Sequence, residues 1–260
     1  MRKLFRFLRI TILLAILIGV AADAMLSRLR TTDWDDTLWV ALYPVNGEGD
    51  GAIDDYINGL AAADFAPMED FFREEARGWG VGLRDPLRVV VAPPVAERPP
   101  IPPVDGNALE NIWWSLRFRF WAWRMATDTG VIPHIRVFVV YHTPRRGRRL
   151  DHSVGLQKGL LGIANVFASR RMARSNQVVI AHEILHTLGA TDKYSPSGWP
   201  IYPEGYAEPS REPRHPQRFA EIMAGRIPVS SGRTRIPPSL AYCVVGAQTA
   251  REINWLDEDE

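Results

Sequence analysis

The segment from Gln177 to Gly189 constrains the fold of this chain more than any other. Its apolar residues lie on several sides of a helix, which is typical of a helix buried in a protein interior. They are Val179, Ile180, Ile184, Leu185 and Leu188. Ser175 and Asn176 are suited to cap the start of a helix, and Gly189 is suited to end it. We therefore predict a buried helix from Gln177 to Leu188.

Two histidines stand on this helix four residues apart. Positions four apart lie one turn along a helix and only about 40° around it, so His182 and His186 can both reach one metal ion. Glu183 leans toward the same side without pointing at the metal, which is the position that a general base needs. With six histidines in the chain, this H-E-x-x-H spacing arises by chance in roughly one such chain in a hundred. The spacing therefore favours a catalytic metal site over two structural histidines.

A catalytic zinc site needs a third protein ligand and keeps one position open. The single cysteine, Cys243, excludes a cysteine-rich site, so the ligands must be His, Asp or Glu. Gly189 can turn the chain back and bring Asp192 near the metal. Alternatively, Asp192 only stabilises the turn, and the third ligand lies further along the chain. The candidates for that role are Glu204, Glu208, Glu212, His215 and Glu221.

Three tyrosines follow the two histidines along the chain. The phenol groups of Tyr194, Tyr202 and Tyr206 are candidates to donate a hydrogen bond to the oxyanion of a tetrahedral intermediate. A role in packing is the alternative for each of them.

The run from His182 to Asp192, HEILHTLGATD, resembles the H-E-x-x-H-x-x-G-x-x-H/D signature of metzincin zinc endopeptidases, in the aspartate version of snapalysin-like enzymes. The segment from Ala220 to Gly225 resembles the methionine-containing turn beneath the metal in that clan, with Met223 in the place of the methionine. A buried core methionine is the alternative. The turn from Gly189 to Tyr194 also resembles the G-x-x-D-x-Y turn of other secreted zinc peptidases, in which a more distant residue can complete the site.

The remaining pattern predicts an α/β domain with a mixed sheet. Strands are predicted at 38–45, 86–92, 135–141 and 161–168, and further helices at 53–62, 67–79, 107–126 and 247–255. The resemblance implies a metzincin-like zincin domain over residues 33–260, with a twisted sheet and active-site helix in an upper lobe (33–190) and a small lower lobe (191–260). It also implies that strand 161–168 is placed like the edge strand against which metzincins align a peptide by strand addition. Trp113, Trp114, Trp121 and Trp123 are interpreted as core residues of a helix that packs on the sheet, in preference to an aromatic binding stripe.

The N-terminus has the pattern of an export signal. Residues 1–9 carry four positive charges and lead into an apolar run from Ile10 to Ala22. That run is shorter than the roughly 18 residues that usually span a bilayer, and Ala22-Asp23-Ala24 offers a cleavage site. Residues 1–26 are therefore either a cleaved signal peptide, which makes the protein periplasmic or secreted, or an uncleaved membrane anchor. In both cases the catalytic domain lies outside the cytoplasm.

The composition is that of an ordinary globular protein. Hydrophobic residues make up 46% and charged residues 23%, and the net charge of +1 shows no nucleic-acid footprint. The expected partners are a peptide or protein substrate and, if the anchor is retained, a membrane. We predict a zinc-dependent peptidase in which Glu183 is the general base. The alternatives are a zinc hydrolase of a non-peptide bond and a non-catalytic envelope protein stabilised by a metal.

Overall fold

The computed structural model describes residue 11 and residues 33–103, 106–145, 147, 150, 153–157 and 159–257. The chain forms a mixed α/β fold around one five-stranded sheet. Its strands are β1 (Leu38–Asn46), β2 (Leu87–Val91), β3 (Ile135–His142), β4 (Val154–Leu156) and β5 (Leu161–Phe167). They lie in the order β2-β1-β3-β5-β4, and all neighbours are parallel except β4, which is antiparallel to β5. The predicted α/β class with a mixed sheet is confirmed.

Helices cover both faces of this sheet. They are α1 (Gly51–Asn58), α2 (Ala66–Gly78), α3 (Ala108–Met125), α4 (Ala173–Leu188) and α5 (Ala247–Glu252). Alternate residues of β1 enter two separate apolar clusters, because successive side chains of a strand point to opposite faces. Val40 and Leu42 pack in one cluster with α2 and α4, whereas Ala41 and Tyr43 pack in the other with α3. The central strands are buried on both faces, which explains their nearly continuous apolar sequences.

Four strands were predicted close to their observed positions, and the main helices also lie where the periodicity placed them. The start of α4 differs from the prediction, since the helix begins at Ala173 and Ser175 and Asn176 do not cap it. The Ser175 hydroxyl donates to the carbonyl of Met172, and the Asn176 amide bonds to the backbone of Phe167 in β5. The Ser175 contact stays at the start of α4, whereas the Asn176 contact docks the helix on the sheet. Gly189 ends the helix with φ of 114°, as predicted.

The edge of the sheet differs from the prediction. Strand β5 is not an edge strand, because it lies between β3 and β4. The edge on this side is β4, which the sequence did not predict as a strand, and β2 forms the opposite edge. Strand β4 has only three residues, and all three are partly exposed, so it carries no alternating apolar pattern.

Helix α3 is a core helix on one side only. Trp114 and Trp121 are buried, as predicted, and pack with Phe118 against Phe138 of the sheet. Trp113 and Trp123 were also expected in the core, but this is wrong, since both are mostly exposed. They lie on the side of the helix that faces away from the sheet, because positions 113 and 123 are far around the helix from 114 and 121.

The chain beyond α4 forms small elements. Strand β6 (Ala220–Glu221) pairs with β9 (Cys243–Val244), and β7 (Ile227–Ser230) pairs with β8 (Arg233–Arg235). A 3₁₀ turn at Ile222–Ala224 follows β6, and helix α5 ends at Glu252, earlier than predicted.

The predicted N-terminal segment, residues 1–26, lies outside the described residues except for Thr11. Among the residues that the structure describes, no helix is both long enough and apolar enough to cross a membrane.

Candidate metal centre

Helix α4 presents the two histidines on one side near its C-terminal end. The rest of the helix is packed on strands β3, β4 and β5, and Ile180, Ile184 and Leu188 are almost completely buried. The side chains of His182 and His186 keep 13% and 18% of their surface exposed. Their ring centroids are 4.6 Å apart. The helix therefore holds both imidazoles rigidly at the border between core and solvent.

Backbone carbonyl groups fix the orientation of both imidazole rings. The Nδ1 atom of His182 lies 3.0 Å from the carbonyl oxygen of Ile222, and that of His186 lies 2.8 Å from the carbonyl oxygen of Ala190. A carbonyl only accepts, so Nδ1 carries the proton in each ring. The Nε2 atoms are then the atoms that can bind a metal, and metal-binding histidines are usually oriented by contacts of this kind.

Asp192 closes the group on its third side. Its Oδ1 atom lies 3.3 Å from Nε2 of His182 and 3.2 Å from Nε2 of His186. A tetrahedral zinc ion with bonds of about 2.0–2.1 Å requires its ligand atoms to be about 3.3 Å apart. The three ligand atoms all lie within 4.8 Å of one another. The donor types, the separations and the ring orientations therefore fit a zinc ion bound by His182, His186 and Asp192.

The charges of the three side chains also fit a cation. Burial alone would lower the pKa of His182, but the hydrogen bond to Asp192 and the nearby Glu183 raise this pKa to about 9. Burial alone would raise the pKa of Asp192, but its hydrogen bonds with the two imidazoles hold this pKa well below the usual range. The centre therefore favours positive charge between the imidazoles and the carboxylate, which either protons or a metal can supply.

Glu183 lies beside this group and is not part of it. Its side chain is almost fully buried, and its Oε2 atom has no hydrogen-bond partner in the described structure. Burial raises the pKa of Glu183 to about 7, although the neighbouring histidines act in the opposite direction. A buried carboxylate oxygen without a partner is unfavourable unless another group or a water reaches it. Glu183 is therefore a buried carboxylate directly beside the two histidines, with one oxygen that has no protein partner within the described structure.

A buried ion pair holds the segment that carries Asp192. The Lys193 ammonium group donates to a carboxylate oxygen of Glu252 at 2.7 Å and to the carbonyl of Thr191 at 2.8 Å. The backbone N–H of Thr191 donates to the same carboxylate at 2.8 Å. Asp192 is thus held between two residues that are both bonded to helix α5. Sequence reasoning missed this contact, because Glu252 lies 61 residues away from Thr191.

The 3₁₀ turn at Ile222–Ala224, called the Met223 turn below, lies next to the side chains of His182, His186 and Asp192. These three side chains are called the metal group below. Met223 is fully buried, its neighbour Ile222 accepts the hydrogen bond from His182, and the backbone N–H of Lys193 donates to the Met223 carbonyl at 3.0 Å. The carboxylate of Glu221 accepts from the backbone N–H of Ala224 and from the Thr249 hydroxyl. These bonds fix the turn and connect it to both His182 and the Asp192 segment.

The five alternative ligands do not join this group. Within the part of the chain that the structure describes, the group of metal-binding side chains contains only His182, His186 and Asp192. Glu208 forms ion pairs with Arg218 and Arg211. The buried carboxylate of Glu221 accepts the hydrogen bonds that fix the Met223 turn. Glu204, Glu212 and His215 lie in the irregular region before β6, where the ring of His215 contacts that of Tyr206.

Among the three candidate tyrosines, Tyr194 is the one whose hydroxyl is influenced by Asp192. Burial, together with the nearby Asp192 carboxylate, raises the pKa of Tyr194 to about 12. Tyr202 packs against Tyr206 and Arg214, and its hydroxyl donates to the carbonyl of Pro209. Tyr194 therefore lies near the three side chains of the centre, whereas the described contacts of Tyr202 and Tyr206 are with other groups.

Gly155 is a further residue of the site that sequence reasoning missed. It lies in the middle of β4, where an added Cβ atom would clash with the Cβ of His186 and would lie 2.7 Å from the carbonyl oxygen of Glu183. Only glycine allows the edge strand to run so close to the metal-binding helix. An isolated glycine in a strand is a signal of such an approach, but β4 itself was not recognised as a strand.

The sequence was compared with known proteins to look for relatives of this centre. No protein-family model matches the chain, and no curated protein matches it by sequence. The assignment of a function therefore depends on the geometry of His182, Glu183, His186 and Asp192.

Proposed function

We propose that the protein is a zinc-dependent peptidase with a metzincin-like arrangement of its active site. The observation that supports this best is the convergence of the two Nε2 atoms on Oδ1 of Asp192 at 3.3 and 3.2 Å, beside an unpaired carboxylate oxygen of Glu183. A structural zinc site is closed by a fourth protein ligand and needs no base. Here three ligands and a base favour a catalytic site.

In this proposal His182, His186 and Asp192 would hold a zinc ion. When bound, the metal would supply Lewis acidity, which lowers the pKa of a water molecule and polarises a substrate carbonyl. Glu183 would accept the proton of the attacking water and later donate it to the leaving amine. Tyr194, whose pKa is raised by burial and by the nearby Asp192, is the candidate that would donate a hydrogen bond to the oxyanion.

A peptide is the substrate that fits the surroundings of this centre. Strand β4 pairs with β5 on one side, and it ends the sheet at the other side among the described strands. Gly155 in β4 lies directly against the part of α4 that carries Glu183 and His186. An extended peptide that added to β4 by backbone hydrogen bonds would pass along the metal centre. We further propose that the site acts outside the cytoplasm, because residues 1–26 have the pattern of an export signal.

The test compares the full-length protein with Glu183→Gln, with Glu204→Gln as the control for an exposed glutamate outside the metal group. Zinc content is measured by elemental analysis, and hydrolysis is followed with a mixture of quenched fluorescent peptides. We expect Glu183→Gln to retain zinc and to lose about 10²- to 10⁴-fold in the rate of peptide hydrolysis. Glu204→Gln should match the parent protein in both.

Two results would contradict the proposal. Undiminished cleavage by Glu183→Gln would show that Glu183 is not the base. A parent protein that binds zinc but cleaves no peptide would favour a zinc hydrolase of a non-peptide bond or a non-catalytic protein stabilised by a metal. Assays on ester substrates test the first of these, and thermal unfolding with and without zinc tests the second.

A further inference from the structure

The outer side of helix α3 carries a continuous apolar stripe. Its six residues are between 49% and 77% exposed. They are Leu109, Ile112, Trp113, Leu116, Phe120 and Trp123. At about 100° per residue they fall within an arc roughly 100° wide, opposite the side that packs on the sheet. Exposed apolar residues scattered singly need no explanation, but a contiguous stripe marks a surface that is covered by another molecule.

Arginines border this stripe on one side. Arg117 and Arg124 lie on this flank, whereas the guanidinium of Arg119 lies beside Gly159, and the sequence from Asn111 to Met125 contains no acidic residue. A helix with aromatic and aliphatic residues on one side and arginines at its border is typical of helices that lie in the surface of a membrane. Trp is also the residue type that is enriched at the boundary between acyl chains and headgroups.

A cleft beside Phe120 is lined by three arginine side chains. Arg98, Arg117 and Arg124 line it with Pro100, Phe120 and Trp121, and its volume is about 260 Å³. The indole N–H of Trp121 is buried and has no acceptor within the described structure. Glu97 is the acidic side chain that pairs with Arg124 here. The cleft is thus rich in donors next to an apolar stripe, which fits a phosphate group attached to acyl chains.

The position of α3 agrees with an approach to a membrane. Strands β1 and β3 begin side by side, where the backbone N–H of His134 donates to the carbonyl of Trp39 at 2.8 Å. Helix α3 ends at Met125, shortly before β3, so the chain that leaves α3 reaches the sheet beside the start of β1, the strand that follows the predicted export signal in the sequence.

A second copy of the chain is a less suitable partner for this surface. Arg117 and Arg124 lie on one flank of the stripe, so two copies packed through it in antiparallel orientation would place arginine near arginine. Juxtaposed like charges oppose association. Anionic lipid headgroups instead complement this flank. We propose that helix α3 lies on an anionic phospholipid bilayer, with its apolar stripe at the acyl boundary and phosphate groups bound by Arg98, Arg117 and Arg124.

The test uses the full chain with a nitroxide spin label at Leu116→Cys and vesicles of phosphatidylcholine and phosphatidylglycerol. Cys243 is buried and burial raises its thiol pKa to about 12, so it does not compete for the label at neutral pH. We expect the label at position 116 to become accessible to oxygen and shielded from a water-soluble nickel complex. A label at Ile236→Cys, an exposed residue beyond β8, is the control and should remain accessible to nickel.

Several outcomes would overturn the proposal. If position 116 stays as accessible to nickel as position 236, the stripe does not contact lipid, even when residues 1–26 hold the protein on the vesicle. If position 116 is shielded from both oxygen and nickel, another protein molecule covers it. The role of the arginines is tested with Arg117→Glu/Arg124→Glu. In this variant we expect at least a tenfold loss of the fraction of labels at position 116 that are shielded from nickel and accessible to oxygen. An unchanged fraction in that variant, or in vesicles of phosphatidylcholine alone, would refute the role of the anionic headgroups.

Discussion

Helices α3 and α4 pack on opposite faces of the same sheet. They differ in which unfavourable groups they contain, since α4 buries polar side chains and α3 exposes apolar ones. Helix α4 is buried on nearly all sides, and its buried residues include polar ones such as Asn176, Glu183 and Thr187. Helix α3 is buried on one side and exposes apolar residues on the other. Buried polar groups and exposed apolar surfaces are the features that carry information about function, because both are unfavourable unless something else compensates for them.

The comparison assigns a different kind of function to each helix. In α4 the compensation for the unpaired oxygen of Glu183 would come from a small polar ligand at a metal centre. In α3 the compensation for six exposed apolar side chains would come from a large apolar surface. Variants of the two helices should therefore fail in different assays, and three predictions use this difference.

The largest effect is expected at the metal centre. Asp192→Ala removes one of the three proposed ligand atoms while leaving α4 and its histidines in place. Removal of groups that only orient a ligand already lowers metal affinity by about 10- to 100-fold, so loss of the ligand itself should weaken zinc binding by at least about a hundredfold. Titration with a competing chelator measures the zinc affinity, and peptide hydrolysis should fall with it.

The matched controls are Glu208→Ala and His215→Ala, which remove two of the alternative ligands. Both variants should keep the zinc affinity of the parent protein, since neither side chain belongs to the metal group. A loss of zinc in either of them, with normal binding in Asp192→Ala, would mean that a residue of the irregular region is the third ligand.

The second prediction contrasts two phenylalanines of α3. Phe118 is fully buried between the helix and the sheet, whereas Phe120 is 62% exposed on the stripe. Phe118→Ala should lower the free energy of unfolding by about 3–5 kcal/mol, because it leaves a cavity in the core. Phe120→Ala should change it by no more than about 0.5 kcal/mol. Urea denaturation of the two variants measures both values.

The same pair separates stability from surface function. Phe120→Ala should weaken binding to anionic vesicles despite its normal stability. If Phe120→Ala destabilises the protein as much as Phe118→Ala, the outer side of α3 is packed against part of the chain itself, and the comparison between the two helices fails.

The sequence predicted those parts of the molecule that depend on local pattern. Four strands and the long helices follow from apolar periodicity, and the spacing of His182 and His186 follows from the helix repeat. Gly189 was recognised as the end of α4 because glycine adopts positive φ without strain. The placement of Asp192 was left open between a ligand and a turn residue, and the structure brings it to the two imidazoles.

Contacts between distant residues could not be predicted in this way. The carbonyl of Ile222 orients His182, and Glu252 holds the Asp192 segment, but no local pattern connects these positions. Strand β4 is too short to show a period. The two sides of α3 also look alike in sequence, since both are apolar, and only the packing distinguishes Trp114 from Trp113.

The third prediction concerns the ion pair that holds Asp192 in place, and it is the smallest effect. Glu252→Gln leaves the Lys193 ammonium group without its anionic partner in a position where the Lys193 side chain is only 6% exposed. We expect a loss of about 1.5–3 kcal/mol in the free energy of unfolding at pH 7, the range for hydrogen bonds to charged groups. Zinc affinity should also fall, by less than in Asp192→Ala, because the ligand itself remains.

The pH dependence of stability distinguishes loss of the ion pair from a general defect. Burial alone would raise the pKa of Glu252, but its bonds with Lys193 and Thr191 lower this pKa below the ordinary value of 4.5. A carboxylate whose pKa is lowered by folding stabilises the protein above its unfolded pKa, and this stabilisation disappears as the pH falls through the folded pKa. The difference in stability between the parent protein and Glu252→Gln should therefore be full at pH 7 and shrink below pH 4.5. Thermal unfolding across this range measures it, and a difference that stays constant with pH would show that the charge of Glu252 does not stabilise the segment that carries Asp192.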